Sequence, residues 1–377
     1  MSKLIFWFSL IMIFYTYIGY PILITLLAKF RKEKPLPELS EYPTVSIIIS
    51  VFNEEDAIQR KIENCFEIEY PKEKLEILVG SDGSTDKTND IIEKYSHKGL
   101  RYLINEKRRG KPYVINRLVK ASLSEILFFT DARQLVEKDA LLKLVRNFQD
   151  KKIGCVSGEL IYLKNESITG RGIGIYWEYE KYLREKESAI YSMIGATGAI
   201  YALRKKLFKP LPEDIILDDL YTPFVAITKG YRAIFDREAK AYDTIPQTPK
   251  DEHRRKVRTL SGNYQIFFKM PQMLNPFKSK IAVQIISHKL LRVLVPFFMI
   301  TLFLSNLLLL GRPFYNVILL MQLLFYFIAL LEALFRRRIK RIFGIPYLFC
   351  LLNFSALVGL WSFLFNRIDV KWEKAIN

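Results

Sequence analysis

Hydrophobic and polar positions alternate on two scales along this chain. On the long scale, four runs without a charged residue, 4–28, 293–311, 313–331 and 342–366, each meet or approach the ~20 apolar residues that a helix needs to cross a bilayer core. The first run is too long for a cleaved signal peptide and lacks a small-residue cleavage site before Lys29. Four membrane helices are expected, one ahead of the central part of the chain and three behind it. On the short scale, the central part sets short apolar stretches against amphipathic ones. Residues 45–51 (VSIIISV), 75–79, 100–105, 126–130 (ILFF and a threonine) and 154–160 read as strands, with helices between them, among them 111–122 and 139–148. Strands alternating with helices of this length predict right-handed βαβ units and a mostly parallel sheet, an α/β fold. The expected division is residues 1–30 for the first membrane helix, 44–264 for the globular domain, 265–291 for a connecting segment and 292–366 for three membrane helices. The connecting segment mixes aromatic residues with Lys269, Lys278 and Lys280, as interfacial segments do.

Charge changes the picture next. A formal net charge of +18 would suggest nucleic acid in a soluble protein. Here much of the excess abuts the apolar runs, at 29–34, 288–292 and 336–341. That is the positive-inside pattern; it explains the charge without nucleic acid and predicts a cytoplasmic globular domain with both termini outside. The expected location is the inner (cell) membrane. Cys65, Cys155 and Cys350 are scattered, and His97, His253 and His288 have no metal-ligand spacing, so neither a disulfide framework nor a zinc site is indicated.

Candidate chemistry collects where the strands end. Glu54, Glu55 and Asp56 follow the first strand, Asp82 and Asp86 the second, Lys107–Lys111 the third and Asp131 the fourth. In an open α/β sheet the crevice beyond the strand ends is where ligands bind. A carboxylate there can hold a divalent cation against substrate phosphates, and basic groups beside it match a diphosphate. Plainer readings exist for each: Asp131 as the cap of a helix beginning near Val136, Asp82-Gly83 as an ordinary turn, Lys107–Lys111 as a solvated charge run, and Asp218-Asp219 as acids favoured at a helix N-terminus.

The motifs VSIIISVFNEED (45–56), SDGSTDKT (81–88), RRGKPYVIN (108–116), FFTDARQ (128–134), GATGAIYALR (195–204), LDDLYTPF (217–224) and RRKVR (254–258) occur in one order. Together they resemble the membrane-bound branch of glycosyltransferase family 2, inverting enzymes with a nucleotide-binding GT-A fold that include the cellulose, chitin and hyaluronan synthases. The resemblance implies that Glu54 and Asp82 sit at the donor nucleoside and Lys111 near its phosphates. It implies that Asp131 binds the diphosphate through Mg²⁺ or Mn²⁺, and that Arg255 and Arg258 embrace the departing diphosphate. Gly195, Ala196, Thr197 and Gly198 would line the acceptor pocket, and Asp219 would be the catalytic base. Two positions depart from the pattern. Arg133 stands where the metal motif often has a second aspartate, and Thr259 where the synthases carry a tryptophan. An aspartate at 133 would be expected to tighten metal binding; the missing tryptophan puts processive synthesis in doubt. The implied activity is transfer of a sugar from a nucleotide donor, a UDP-sugar first, to a saccharide or lipid-linked acceptor in envelope or extracellular polysaccharide synthesis. Membrane lipids are expected partners, with homo-oligomers or a polysaccharide assembly complex as settings. The alternatives are a processive synthase that exports its product and a catalytically silent subunit of an assembly complex.

Overall fold

A computed structural model describes residues 1–31, 39, 41–163, 168–244, 249–334, 344–365 and 367. Lys34 and the basic run 336–341 lie outside the described residues. In chain order the first helical stretch is α1 (Ser2–Phe14), a π-helical turn (Tyr15–Gly19) and α2 (Tyr20–Lys29). There follow β1 (Val45–Val51), α3 (Ile58–Phe66), β2 (Leu75–Asp82), α4 (Thr88–Lys94), β3 (Arg101–Asn105), α5 (Lys111–Ala121), β4 (Ile126–Phe129), β5 (Leu135–Val136) and α6 (Ala140–Arg146). Next come β6 (Ile153–Leu163), α7 (Ile168–Ile190), β7 (Tyr201–Arg204), α8 (Asp218–Thr228) and β8 (Arg232–Thr244). The last are α9 (Pro249–Lys269), α10 (Ala282–Ile285), α11 (Leu291–Leu307), α12 (Pro313–Leu334) and α13 (Gly344–Leu364). Two compact units result. A sheet unit takes in 30–163 and 181–245, and a helical unit takes in 1–29, 164–180 and 246–368.

The sheet unit is one eight-stranded sheet of order β3-β2-β1-β4-β7-β6-β8-β5. β3, β2, β1 and β4 are parallel neighbours; β7 then joins β4 and β6 antiparallel, and β8 runs parallel to β6. Strands covered on both faces read as unbroken apolar runs. Every residue of β1 and β4 is buried, including Ile47, Ile49 and Phe128 with no exposed surface at all. Each such side chain contributes roughly 1.5–3 kcal/mol relative to exposure. The chain leaves β1 toward β2 on one side, while β4 lies on the other. That reversal opens a crevice at the carboxyl ends of β1 and β4, and Glu54 and Asp131 follow those two ends directly. The sheet is the expected mostly parallel α/β design, with an antiparallel insertion that the periodicity did not indicate.

Among the described residues of the helical unit, four helices are long and apolar enough to cross a membrane: Ser2–Lys29, Ala282–Leu307, Pro313–Leu334 and Ile345–Leu364. The second starts well before the charge-free run and carries His288, Lys289 and Arg292 within it. α1 packs on α11 through Ser9 and Thr301, whose hydroxyls lie 2.8 Å apart, and through Phe8 against Phe298. α9 and α13 come close enough for Ser261 to donate to the Gly359 carbonyl at 2.6 Å. Both the first and the second span contain a π-helical turn, at Tyr15–Gly19 and Ile286–Leu290. The two turns meet where the Tyr15 and Ser287 hydroxyls lie 2.8 Å apart.

Candidate active site

Four loops meet at the carboxyl edge of the parallel strands, held by side chains to backbone. Asn53, with a left-handed backbone at φ 50°, donates its N–H to Ser84 Oγ at 3.1 Å and accepts from the Thr85 N–H at 2.8 Å. Asp82 ends β2 fully buried. Its two oxygens accept from the backbone N–H groups of Arg109 (2.8 Å) and Gly110 (2.7 Å). Asp82 therefore fixes the loop that begins α5, and the first residue of that helix is Lys111. The turn at Gly83 is present too, at φ +70°, but it does not account for the carboxylate.

Lys111 Nζ lies 2.8 Å from Asp131 Oδ1 and 3.5 Å from Asp218 Oδ2, so this lysine is no solvated surface charge. Burial pushes its pKa down, and Asp131, Asp218 and Asp219 outweigh that and hold it above the usual lysine range. Asp131 keeps a half-exposed carboxylate. It does not cap the next helix, because α6 begins at Ala140 with Asp139 in the cap position. Behind it, fully buried Lys61 of α3 donates to Thr130 Oγ1 and to the Gln134 carbonyl, both at 2.7 Å. The loop that carries Asp131 is thus clamped from below. Arg133 turns to Glu54, its Nε 2.9 Å from both carboxylate oxygens. It neutralises a nearly buried acid.

The opposite wall is the 195–198 turn. Gly195 has φ +73°, which only glycine adopts without strain, and the Ala196 N–H donates to the Asp219 carbonyl at 2.8 Å. Thr197 is held by Arg184, and its N–H donates to Ser157 Oγ at 2.9 Å. The Gly198 N–H donates to Asp219 Oδ2 at 3.2 Å. A Cβ on Gly198 would lie 3.4 Å from Asp219 Oδ2 and 3.6 Å from Asp131 Oδ2. Both carboxylates therefore border the space over one glycine. Asp218 and Asp219 are the first two residues of α8 and diverge by about 100° around its axis. The first faces Lys111 and the second faces Gly198. Burial, then the charge of Asp218, pushes the Asp219 pKa up to about 6, against the opposing pull of Lys111 and Arg184. A carboxylate poised there is suited to general-base work near neutral pH.

Glu54, Asp82, Lys111, Asp131, Gly195, Ala196, Thr197, Gly198 and Asp219 all belong to this one unit. Arg255 and Arg258 lie on α9 of the helical unit, where the Thr259 hydroxyl donates to the Arg255 carbonyl at 3.0 Å. Sequence reasoning passed over Lys61 and Arg184. Lys61 had a signal, since it stands at i+3 in the apolar stripe Ile58, Ile62, Cys65, where a surface charge has no place. Among the described residues no three His, Cys, Asp or Glu side chains form a metal cluster by themselves. The half-exposed carboxylate of Asp131 at the open edge fits a hard cation that completes its shell with phosphate oxygens and water.

Residues 46–211 match the model of Glycosyl transferase family 2. The chain carries a family 2 glycosyltransferase domain. Its relatives include the poly-beta-1,6-N-acetyl-D-glucosamine synthases of Staphylococcus aureus, 24% identical over 63% of this chain and 58% of theirs, and of Staphylococcus epidermidis, 24% identical over 64% and 61%. The chain thus spans less than two thirds of the length of these curated relatives. Among solved structures, the family 2 domain and its helices superpose on the mannosyltransferase PcManGT from Pyrobaculum calidifontis, a complex with GDP-Man and Mn²⁺. The TM-score is 0.74 at 22% identity, covering 98% of this chain and 100% of that one. That likeness shows the fold, a GT-A-like α/β domain with one apolar helix before it and three after.

Proposed function

We propose that the protein is an inverting glycosyltransferase of the cytoplasmic membrane face. It moves a sugar from a nucleoside-diphosphate donor to a hydroxyl of a saccharide or lipid-linked acceptor in envelope or extracellular polysaccharide synthesis. The observation that carries this reading is the convergence of Asp131, Asp219 and Lys111 around Gly198. Glu54 and Asp82, with the loops they hold, face the nucleoside end. Lys111 stays charged beside the donor phosphates, and the turn 195–198 lines the acceptor side, where the bare backbone of Gly198 leaves room for a sugar ring. Asp219 takes the proton as the acceptor oxygen bonds to the anomeric carbon and the bond to the diphosphate breaks on the opposite face. Such a base is worth typically ~10²–10⁴-fold in rate. A divalent cation on Asp131, Mg²⁺ or Mn²⁺, would supply charge neutralisation for the leaving diphosphate.

The N-acetyl-D-glucosamine in the relatives' names, joined to the UDP donor that the resemblance implies, makes UDP-N-acetylglucosamine the first donor to test. The full chain, purified in detergent, is offered UDP-N-acetylglucosamine, UDP-glucose and GDP-mannose with Mg²⁺ or Mn²⁺, and nucleotide release is followed. Release of UDP is expected. Release of GDP alone would replace the donor but keep the reaction, and no release from any donor with acceptor-containing membranes present would remove the catalytic reading in favour of a silent subunit.

A further inference from the structure

The helical unit holds a second concentration of charge, buried at the start of α11. Glu180 of α7 is 4% exposed and accepts from Arg292 Nη1. His288 Nε2 lies 3.3 Å and Lys289 Nζ 3.8 Å from the same carboxylate. Arg292 Nη1 also donates to the Tyr176 hydroxyl at 3.2 Å. Lys256 of α9 sits 4.0 Å from the centre of the Tyr176 ring. These residues gather beside the two π-helical turns, which supply Tyr17 on one span and His288 and Lys289 on the other. Departures of this kind from the α-helix are frequent at functional sites.

One edge of Arg292 is left over. Nε and Nη2 are buried and make no hydrogen bond among the described residues, with the Tyr179 ring 5.4 Å from the guanidinium carbon. Those two nitrogens carry the parallel N–H bonds of the guanidinium's side edge, the fork that grips two oxygens of one phosphate or carboxylate. Leaving both unmet in a buried, charged group is costly, so the arrangement calls for an anion.

What lies beyond Arg292 says what the anion is attached to. Pro296, Met299 and Phe303 follow it at i+4, i+7 and i+11, on the same face of α11. With Tyr326 of α12 and Asn353 and Leu357 of α13 they line a cavity of about 290 Å³ with almost wholly apolar walls. Tyr17 connects the two regions, being placed among Arg292, Glu180 and Asn353 with its ring 5.1 Å from that of Phe349. From Arg292 to Phe303 the face runs about 16 Å at 1.5 Å per residue. The cavity is open on the side of Ile300, Leu304 and Phe354, which line it and are themselves exposed on the apolar surface. A free anion would have no use for such a slot, and a neutral lipid none for the fork.

We propose that this is a binding site for an anionic phospholipid of the surrounding bilayer, its phosphate on the Nε–Nη2 edge of Arg292 and one acyl chain along α11 in the slot. The site is separate from the donor chemistry above and does not depend on it. Lys289 adds positive charge on the headgroup side, and the open flank lets the lipid enter from within the membrane.

The test uses the full chain in nanodiscs of phosphatidylcholine doped with phosphatidylglycerol, stripped with detergent, with the retained lipid measured by mass spectrometry. Phosphatidylglycerol should be retained about tenfold over its share in the nanodisc, as expected for one charge-assisted fork. Arg292→Lys keeps the pair with Glu180 but loses the fork, and Met299→Trp fills the slot without touching the charges. Each should remove most of the enrichment, and Met299→Trp decides the matter if the arginine variant fails to fold. Equal retention of the two lipids, or enrichment that survives Met299→Trp, overturns the proposal. Loss of enrichment on adding inorganic phosphate alone overturns it as well, since that would mark an adventitious ion only.

Discussion

At the scale of single residues, Gly198 carries the sharpest expectation outside the base itself. A methyl group there meets only ordinary contacts, 3.4 Å from Asp219 and 3.6 Å from Asp131, so Gly198→Ala should move stability by no more than about 0.5–1 kcal/mol. It would, however, stand in the space over which both carboxylates act, and misplacing reacting groups by about 1 Å can cost ~10²-fold. A thermal melt near native with nucleotide release reduced at least tenfold, roughly 1.4 kcal/mol in the barrier, is the expected pair of results; native turnover would remove the glycine from the acceptor side. Arg133 is a second case. Read from the sequence it is a lost metal ligand, and an aspartate there should tighten metal binding. In the structure it is the counter-ion of Glu54, a side chain only 9% exposed. Arg133→Asp should therefore set two carboxylates against each other and lower stability by about 3 kcal/mol, the size seen when one partner of a buried pair is removed. Urea unfolding measures this, with a midpoint equal to the native one as the contrary result. Only the long-range pair could reveal the role of Arg133, and a linear motif does not contain it.

At the scale of elements, the loop between β4 and β5 is the part on which the proposed metal site depends. Lys61 holds it through two bonds from a fully buried ammonium, a group whose pKa burial pushes down while Cys65 and Asp131 push it up. Lys61→Met keeps volume and removes both bonds. Supporting side chains of this sort are typically worth 10–100-fold in metal affinity or activity, so the Mn²⁺ concentration for half-maximal nucleotide release should rise about tenfold or more. A shift in stability with unchanged Mn²⁺ dependence would make the lysine structural only. The parallel strands were legible because β4 is an unbroken apolar run and β1 is interrupted only by Ser46 and Ser50, and α8 was legible through its paired acids. β2 runs three residues past the apolar stretch that announced it, because Gly80, Ser81 and Asp82 pair with β3. β7 has four residues, and β8 mixes buried, half-buried and exposed positions without a regular alternation. Neither differs locally from a loop or a surface segment, and only their pairing with β4 and β6 makes them strands.

At the scale of the whole chain, the apolar runs and the basic clusters beside them predict orientation. Position 98, at the end of the turn after α4, belongs to the sheet unit, and position 312 to the turn between α11 and α12. If the sheet unit faces the cytoplasm, Arg312→Cys should react with an impermeant thiol reagent in intact cells and Lys98→Cys should not. Both are made in a background with Cys65, Cys155 and Cys350 replaced. Labelling at 98 with protection at 312 would invert the topology and place the donor site away from cytoplasmic nucleotide sugars. The spans themselves were readable from composition, but the start of the second was not. His288, Lys289 and Arg292 read as a flanking basic cluster, and in the structure the helix continues through them beside Glu180 of α7, whose carboxylate all three approach.

The central claim is that Asp219 is the base and Asp218 is not, and the pH dependence of transfer tests it most directly. With the Asp219 pKa near 6, the base is protonated and idle below that value and ionised above it. The rate per donor-bound enzyme should therefore rise about tenfold per pH unit below 6 and level off above it. Asp219→Asn should lose about 10²-fold or more at the plateau, along with the acidic limb, while nucleotide-sugar binding is kept. Asp218→Asn should retain both the limb and most of the rate. A flat profile in the native enzyme, or a dead Asp218→Asn beside an active Asp219→Asn, would contradict the account.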